Sequence, residues 1–515
     1  MDRLSTEIDE NIAQRLGRKE LSALSKTSKY YRSLAEPYLY HELTFSVQQY
    51  ISLVSLFETI LDRRDLARHI RSFTLTDAGV PDATPTFTET FFDRIWAKFN
   101  TLKDFIDELV PLPSRALAVR WLRRVLADAP RIDGQLAVIL CLAQNIEHLE
   151  LVRTGLDSLP ITRAIVGMCW VEDNGTGLGS KKDKEIAGEH SKDPVEHNNE
   201  DRSYPFYKLK SLCISNQVDD DLVAVPVLPS MEVVQLGEHL GDKVKQTLYF
   251  PYLDSGMGSQ LRTIEIVRVN LCLSGFEKTI AAADLCGLKE LVVREVGWNC
   301  ENEPWEEYDF ARMSHVISQH LRGLESLEWS RQNYDRNWYG LQRFGSFKGL
   351  RSLTSLIVDF ELISPVDDNF AESIHLLNAQ DMLPVSLESL SITNMDSGFF
   401  AEINETYTAG PLQHTATEYI LNIAATLHLK VFELSLEMER WDVGANGTVE
   451  LDKSSRSFLP IMVEALNNLG IRMRVWRQKG KFEEKLLYEP GFAAAGPHWA
   501  DVDEKYRADH YHWDN

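Results

Sequence analysis

The stretch Leu387-Glu388-Ser389-Leu390-Ser391-Ile392 sets apolar residues at its first, fourth and sixth positions. The last two are two positions apart, so in an extended chain both point to the same face. The first lies at the entry to the strand, beneath the turn. To either side, the same spacing appears at Leu353/Leu356/Val358, Leu324/Leu327/Trp329, Leu288/Leu291/Val293 and Leu261/Ile264/Ile266, and beyond it at Leu429/Phe432/Leu434. Earlier in the chain it recurs at Met231/Val234/Leu236, Leu209/Leu212/Ile214 and Ile146/Leu149/Leu151. A short strand with one apolar face cannot bury that face alone, so such units must stack, each covered by its own return segment. From residue 209 onward the first positions recur at intervals of 22 to 42 residues. The return segments must therefore differ in size. One of them, 305–321, reads as a helix. The expectation is an α/β fold of stacked strands.

The flanking segments read differently. In 1–45, Ile8, Ile12 and Leu16 recur at helical spacing and Gly17 breaks the helix. A second helix begins near Lys19, carries Leu21, Leu24 and Leu34, and is expected to end at Pro37. Residues 46–144 read as a helical linker region with a first repeat-like strand near 70–75, and 145–488 as the repeat array. Inside it, 172–203 holds almost no large apolar group and reads as a disordered insertion, because it cannot bury enough surface to offset ordering entropy. Arg472–Trp476 and Phe482–Tyr488 flank Gln478-Lys479-Gly480-Lys481, which reads as a closing hairpin. Residues 489–515 read as a flexible polar tail.

The repeated spacing resembles the leucine-rich-repeat family, which implies an irregular solenoid, a horseshoe with parallel strands on its concave face. The N-terminus resembles the F-box, a family that opens Leu-Pro-x-Glu-Ile and continues with Ile and Leu at helical spacing. Here Leu4-Ser5-Thr6-Glu7-Ile8 matches with Ser5 in place of Pro, followed by Ile12, Leu16 and Glu20-Leu21-Ser22-Ala23-Leu24. The continuation Pro37-Tyr38-Leu39-Tyr40 and the repeat Leu383-Pro384-Val385-Ser386-Leu387 are similar to the fungal type. The resemblance implies an all-α F-box module that docks on the Skp adaptor of a cullin-based SCF ubiquitin ligase, and repeats that capture a protein substrate. Leu4, Glu7, Ile8, Ile12, Leu16, Leu21 and Leu24 are the adaptor-binding candidates it implies. Ubiquitin transfer would be done by partner subunits, so no enzyme is expected. The alternative is a repeat scaffold or regulator without a ligase role.

Composition narrows the classes. Of 515 residues, 77 are acidic and 54 basic, a formal net charge of -23. That argues against a general binder of nucleic acid or anionic membrane. The longest apolar run, 136–143, is too short to span a bilayer, and the charged opening shows no secretory leader. The six cysteines are scattered without a Cys-x-x-Cys pair, which reads as buried thiols in a reducing compartment, cytoplasmic and/or nuclear. Gly175-Thr176-Gly177-Leu178-Gly179 lacks the spacing of a phosphate loop, and Gly256-Met257-Gly258-Ser259 does not complete a nucleophile elbow. His498, His510 and His512 belong to the polar tail. No metal, catalytic residue or cofactor is expected.

The substrate candidates come from strand geometry. Residues flanking the last two apolar positions of each unit point away from the core. They include the acids Glu150, Glu265, Glu290, Glu328, Asp359 and Glu433, with Arg294 the clear base, among small hydroxyls such as Ser326, Ser391 and Ser435. The expectation is an exposed acidic face whose partner carries a basic patch.

Overall fold

In the computed structural model of this chain, the strands of the repeat stand side by side and pair in parallel. The structure describes residues 6–46, 50–76, 132–152, 206–215, 222–224, 230–237, 247–249, 260–267, 285–296, 310–331, 344–363, 379–396, 423–437, 462–479 and 483–488, with positions 97, 276, 277, 280, 281 and 421. The expectations for Leu4, for helix over 86–131, for the 172–203 insertion and for the 489–515 tail lie outside these residues. Two compact units divide the chain, Met1–Leu261 and Arg262–Asn515.

In the first unit the strands are β1 (Glu42–Ser46), β2 (Ser72–Thr76), β3 (His148–Val152), β4 (Ser211–Ser215), β5 (Leu222–Ala224), β6 (Val233–Gly237) and β7 (Thr247–Tyr249). β1, β2, β3, β4 and β6 pair in that order, all parallel, while β5 pairs with β7. Register brings Leu43, Phe73, Leu149, Leu212 and Val234 into one buried row, and Phe45, Leu75, Leu151, Ile214 and Leu236 into the next. The parallel pairing thus begins at Glu42, earlier than the spacing around 145 suggests. Tyr40/Leu43/Phe45 and Ile70/Phe73/Leu75 repeat the same apolar spacing.

Helices make the returns. α1 (Thr6–Ala13), α2 (Arg18–Ser25) and α3 (Lys29–Leu39) precede β1. The single helix expected after Lys19 is split in two, because Ser28 caps α3 by accepting the Tyr31 N–H at 3.1 Å. Pro37 lies within the last turn of α3 and does not end it. α4 (Tyr50–Asp62) buries Leu53, Val54, Phe57 and Ile60, one stripe of the helix. It packs against the helix Ile132–Leu142. The run over 136–141 is buried on every side of that helix, as befits a helix enclosed by its neighbours.

The second unit holds β8 (Thr263–Val267), β9 (Glu290–Val296), β10 (Ser326–Arg331), β11 (Ser355–Asp359), β12 (Ser389–Asp396), β13 (Val431–Glu437), β14 (Arg472–Lys479) and β15 (Glu483–Tyr488). β8 to β14 are parallel, and β15 turns back antiparallel on β14, with Lys479 opposite Glu483. The closing hairpin is therefore present. One buried row runs Ile264, Leu291, Leu327, Leu356, Leu390, Phe432, Met473, and the second runs Ile266, Val293, Trp329, Val358, Ile392, Leu434, Val475. Trp329 is the largest side chain in these rows. Phe276 and Phe344 enclose it, with ring centroids 6.2 and 5.2 Å away. Returns vary as the intervals require. Phe310–His320 is a helix, within the expected 305–321. Phe344, Phe347, Leu350 and Leu353 are buried at every third position through an irregular turn.

One backbone device recurs along both units. The residue just before a strand offers its carbonyl to two N–H groups of the next repeat. His41 O accepts from Arg71 and Ser72, both at 3.0 Å, and Lys289 O accepts from Glu325 and Ser326 at 2.8 and 2.9 Å. Arg71, Glu147, Lys210, Arg262, Glu325, Thr354 and Glu388 accept in the same way. Several of these positions also alternate in charge. Glu147 receives Arg71 at 3.1 Å and Lys210 at 2.8 Å, and Lys289–Glu325 and Lys430–Glu388 close at 2.7 Å. The Lys210 hydrogen bond holds the Glu147 carboxyl below the usual carboxylate range. Its folded value is depressed, so its small contribution is present at neutral pH and is lost as pH falls through that value.

Two glycines are required by geometry. At Gly323 an added Cβ would stand 2.8 Å from the Cys286 carbonyl oxygen, so successive turns approach too closely for a side chain. Gly470 ends the helical turn 462–468 at φ +75°. Its N–H donates to Asn467 O at 2.9 Å, and the Ile471 N–H donates to Leu466 O at 2.9 Å, the paired bonds of a Schellman cap. Nothing lies within 4 Å of a Cβ added there, so the requirement is conformational alone. Gly470→Ala should cost about 1 kcal/mol in urea unfolding, and Gly470→Asn less, since Asn tolerates this conformation. An Ala variant as stable as the parent would contradict the cap.

Candidate interaction surfaces

The N-terminal module is built around a small core. Ala13, Leu21, Leu34 and Ala35 form its buried centre, with Leu16, Leu24, Tyr31, Tyr38 and Leu39 packed on it. On α1 the inward line is Asp9 and Ala13, one turn apart. Asp9 is 5 % exposed and accepts the Tyr30 hydroxyl at 2.9 Å, a bond that raises the phenol's pKa. Ile8 and Ile12 sit next to that line, about 100° round the helix, and both are exposed, at 47 % and 45 %. Glu7 is exposed beside them. Of the adaptor candidates, Glu7, Ile8 and Ile12 therefore lie on the surface, Leu16 and Leu24 are half-buried against the core, and Leu21 is core.

A charged clamp that the sequence reading missed ties this module to the next segment. Arg63, just past α4, donates to both carboxylate oxygens of Glu36 on α3, at 2.7 and 2.9 Å, and to Asp65 at 2.6 Å. A bidentate guanidinium–carboxylate pair fixes both distance and angle. The hydrogen bond from Arg63 holds the Asp65 carboxyl below its ordinary value, and the bonds to Glu36 and then Asp65 raise the Arg63 guanidinium above its own. Residues 27 apart in sequence carry no local signal of such a pairing.

The second surface is the outer face of the strands. There the six carboxylates prove to be part of the sheet itself. Glu328 is 7 % and Asp359 0 % exposed, and Glu150, Glu265, Glu290 and Glu433 are half-buried. Five are engaged by a side chain of the neighbouring strand. Thr74 donates to Glu150 at 3.0 Å, Thr263 to Glu290 at 3.3 Å, and Thr393 to Asp359 at 2.7 Å, each pair in register. Arg294 grips Glu328 with Nε and with Nη2, the latter at 2.7 Å, and Arg474 donates to Glu433 at 2.9 Å. Ser330, Ser391 and Ser435 are buried too. An open acidic field with one base is therefore not what this face presents. Arg474 was missed because Gly470 occupies the first apolar position of its unit, which hides the spacing.

Among the described residues, no group of three or more His, Cys, Asp or Glu is placed to hold a metal ion, and no helix is long and apolar enough to cross a membrane. Cys141 is buried and burial pushes its thiol pKa up, Cys213 is half-buried, and Cys286 is exposed. Neither a protein-family model nor a curated protein matches the chain.

The module separates surface from core in a testable way. Ile8→Asp and Ile12→Asp should each change stability by less than about 0.5 kcal/mol, whereas Leu21→Ala should cost about 2–4 kcal/mol. Thermal melts of the full chain read the difference, and comparable losses in all three would show that α1 is buried.

Proposed function

We propose that the chain is a substrate-receptor subunit of an SCF-type ubiquitin ligase, in which α1–α3 are an F-box module and the strands belong to leucine-rich repeats. The observation that carries this reading is the pair Ile8 and Ile12, one turn apart and exposed on a small helical module whose described leucines close a core. An exposed aligned apolar pair suits an obligate partner, and the F-box resemblance supplies the Skp adaptor as that partner. The Arg63–Glu36 clamp would hold the docked module at a fixed angle to the segment leading into β2. The repeats would then present the substrate to partner subunits that perform the transfer, in the cytoplasm or nucleus. The engaged carboxylates of the outer face support lateral cross-linking of strands better than capture of a basic partner. A repeat scaffold without a ligase role is the second reading, and the same experiment separates the two.

Co-precipitation of the Skp adaptor with the full chain should succeed, and an Ile8→Asp/Ile12→Asp double variant should lose it by about tenfold or more, in line with two buried aliphatic anchors. Equal recovery with parent and variant, or none with either, would favour the scaffold.

A further inference from the structure

The turns entering β2, β3 and β4 place their side chains along one edge of the first unit. Arg68 and Arg71 precede β2, Asn145 and Glu147 precede β3, and Lys208 and Lys210 precede β4. They are bound into one network. Lys208 Nζ donates to Asn145 Oδ1 at 2.7 Å, and Asn145 Nδ2 donates to the Arg68 carbonyl at 2.8 Å. Arg71 and Lys210 take one oxygen each of Glu147, at 3.1 and 2.8 Å. Arg71 and Lys210 thus share one carboxylate, and Lys208 and Arg68 flank Asn145 in the same turns with no carboxylate of their own in this network, in a chain of net charge -23. The half-buried Glu232 adds a further acid near Lys210, and Asp65 lies on the same short helix as Arg68. Arg68 is exposed, and its guanidinium makes no ion pair among the described residues.

An aromatic ring joins the cations. Tyr207 is 45 % exposed, with Lys208 Nζ 5.2 Å from its centroid. Its neighbour Phe206 is buried at φ +68°, a conformation bulky residues rarely adopt and one that costs about 1–3 kcal/mol. The bend is retained by the Leu209 N–H, which donates to Phe206 O at 2.8 Å. It buries one aromatic ring and leaves the next at the surface, beside the lysines.

We propose that this edge binds a short acidic segment of a partner protein. Neighbouring strands stand about 4.8 Å apart, so the cations of three units span roughly 10 Å, about three residues of extended chain. Two or three Asp or Glu side chains of such a segment meet Arg68, Lys208 and the outer side of the Arg71–Glu147–Lys210 group, and an apolar side chain packs on Tyr207. A long polyanion would extend into the acidic remainder of the surface. A short segment feels only local charge, since fields fall off within about 8 Å at physiological salt. The identity of that partner as a ubiquitination substrate rests on the receptor reading above, whereas the binding of an acidic segment does not.

Fluorescence anisotropy of the full chain with a labelled glutamate-rich decapeptide tests this, with the glutamine counterpart and a ten-nucleotide single-stranded DNA as comparison probes. The acidic peptide should bind, weaken as salt is raised, and weaken about tenfold in Arg68→Glu and in Lys208→Glu. Both variants should keep the parental melting temperature and capture adaptor as the parent does. No binding of the acidic peptide, equal binding by both variants, equal binding of the glutamine peptide, or tighter binding of the DNA would overturn the inference. Adaptor captured without peptide would leave the receptor reading standing, and peptide bound without adaptor would leave only the edge.

Discussion

The strands of the repeat each have one apolar face, and a neighbouring strand about 4.8 Å away, parallel in every case but β15, completes the layer that buries it. A slip of one residue would turn Leu327 and Trp329 outward and Glu328 inward, so register is held at both levels of the chain. The side chains hold it through the two continuous buried rows of each unit. The backbone holds it through the carbonyl ahead of the strand, which accepts two N–H groups from the next repeat. Because that carbonyl belongs to a residue at the turn, the turns are aligned along with the strands. The charges at those positions then meet as Arg71–Glu147–Lys210 and Lys289–Glu325.

Alignment also decides what the polar residues can do. On the outer face, residues two apart along a strand stand beside their counterparts on the next one. Thr74 reaches Glu150, and Thr393 reaches Asp359, as soon as the strands pair. Desolvated carboxylates need such donors, and once engaged they contribute to the sheet and little to a long-range field. The turns are different. They lie where the chain enters the sheet, with room for long side chains, and in the first unit that edge collects cations and an exposed tyrosine. Charge in this protein is therefore distributed by position in the repeat, and the net value of -23 describes neither surface.

The same physics determines how much was legible from the residues alone. The nine spacings read from sequence all fall on strands with their apolar residues buried, because a period-two pattern with an entry residue has few other uses. β1 and β2 obey the same spacing but are separated from β3 by longer segments, so they stand apart from the run. β14 was legible as a hairpin strand and not as a repeat, because Gly470, which the helix cap requires, stands where the spacing has an apolar residue. The helical module was legible in its existence and in its break at Gly17, and not in its second division, since Ser28 acts as a cap only when its oxygen meets the Tyr31 N–H. Least legible were pairings between distant segments. Glu36–Arg63, Asp9–Tyr30 and the donors to the outer-face carboxylates join residues whose types are common and whose proximity the fold creates.

If the chain is a receptor, its N-terminal helices and its repeats serve different partners. Hydrogen exchange of the full protein, with and without the Skp adaptor, reads that division amide by amide. New protection should be confined to the N-terminal helices, centred on 6–16, with strand amides unchanged. Protection appearing mainly in the strands and turns of the repeats, with α1 unaffected, would contradict it.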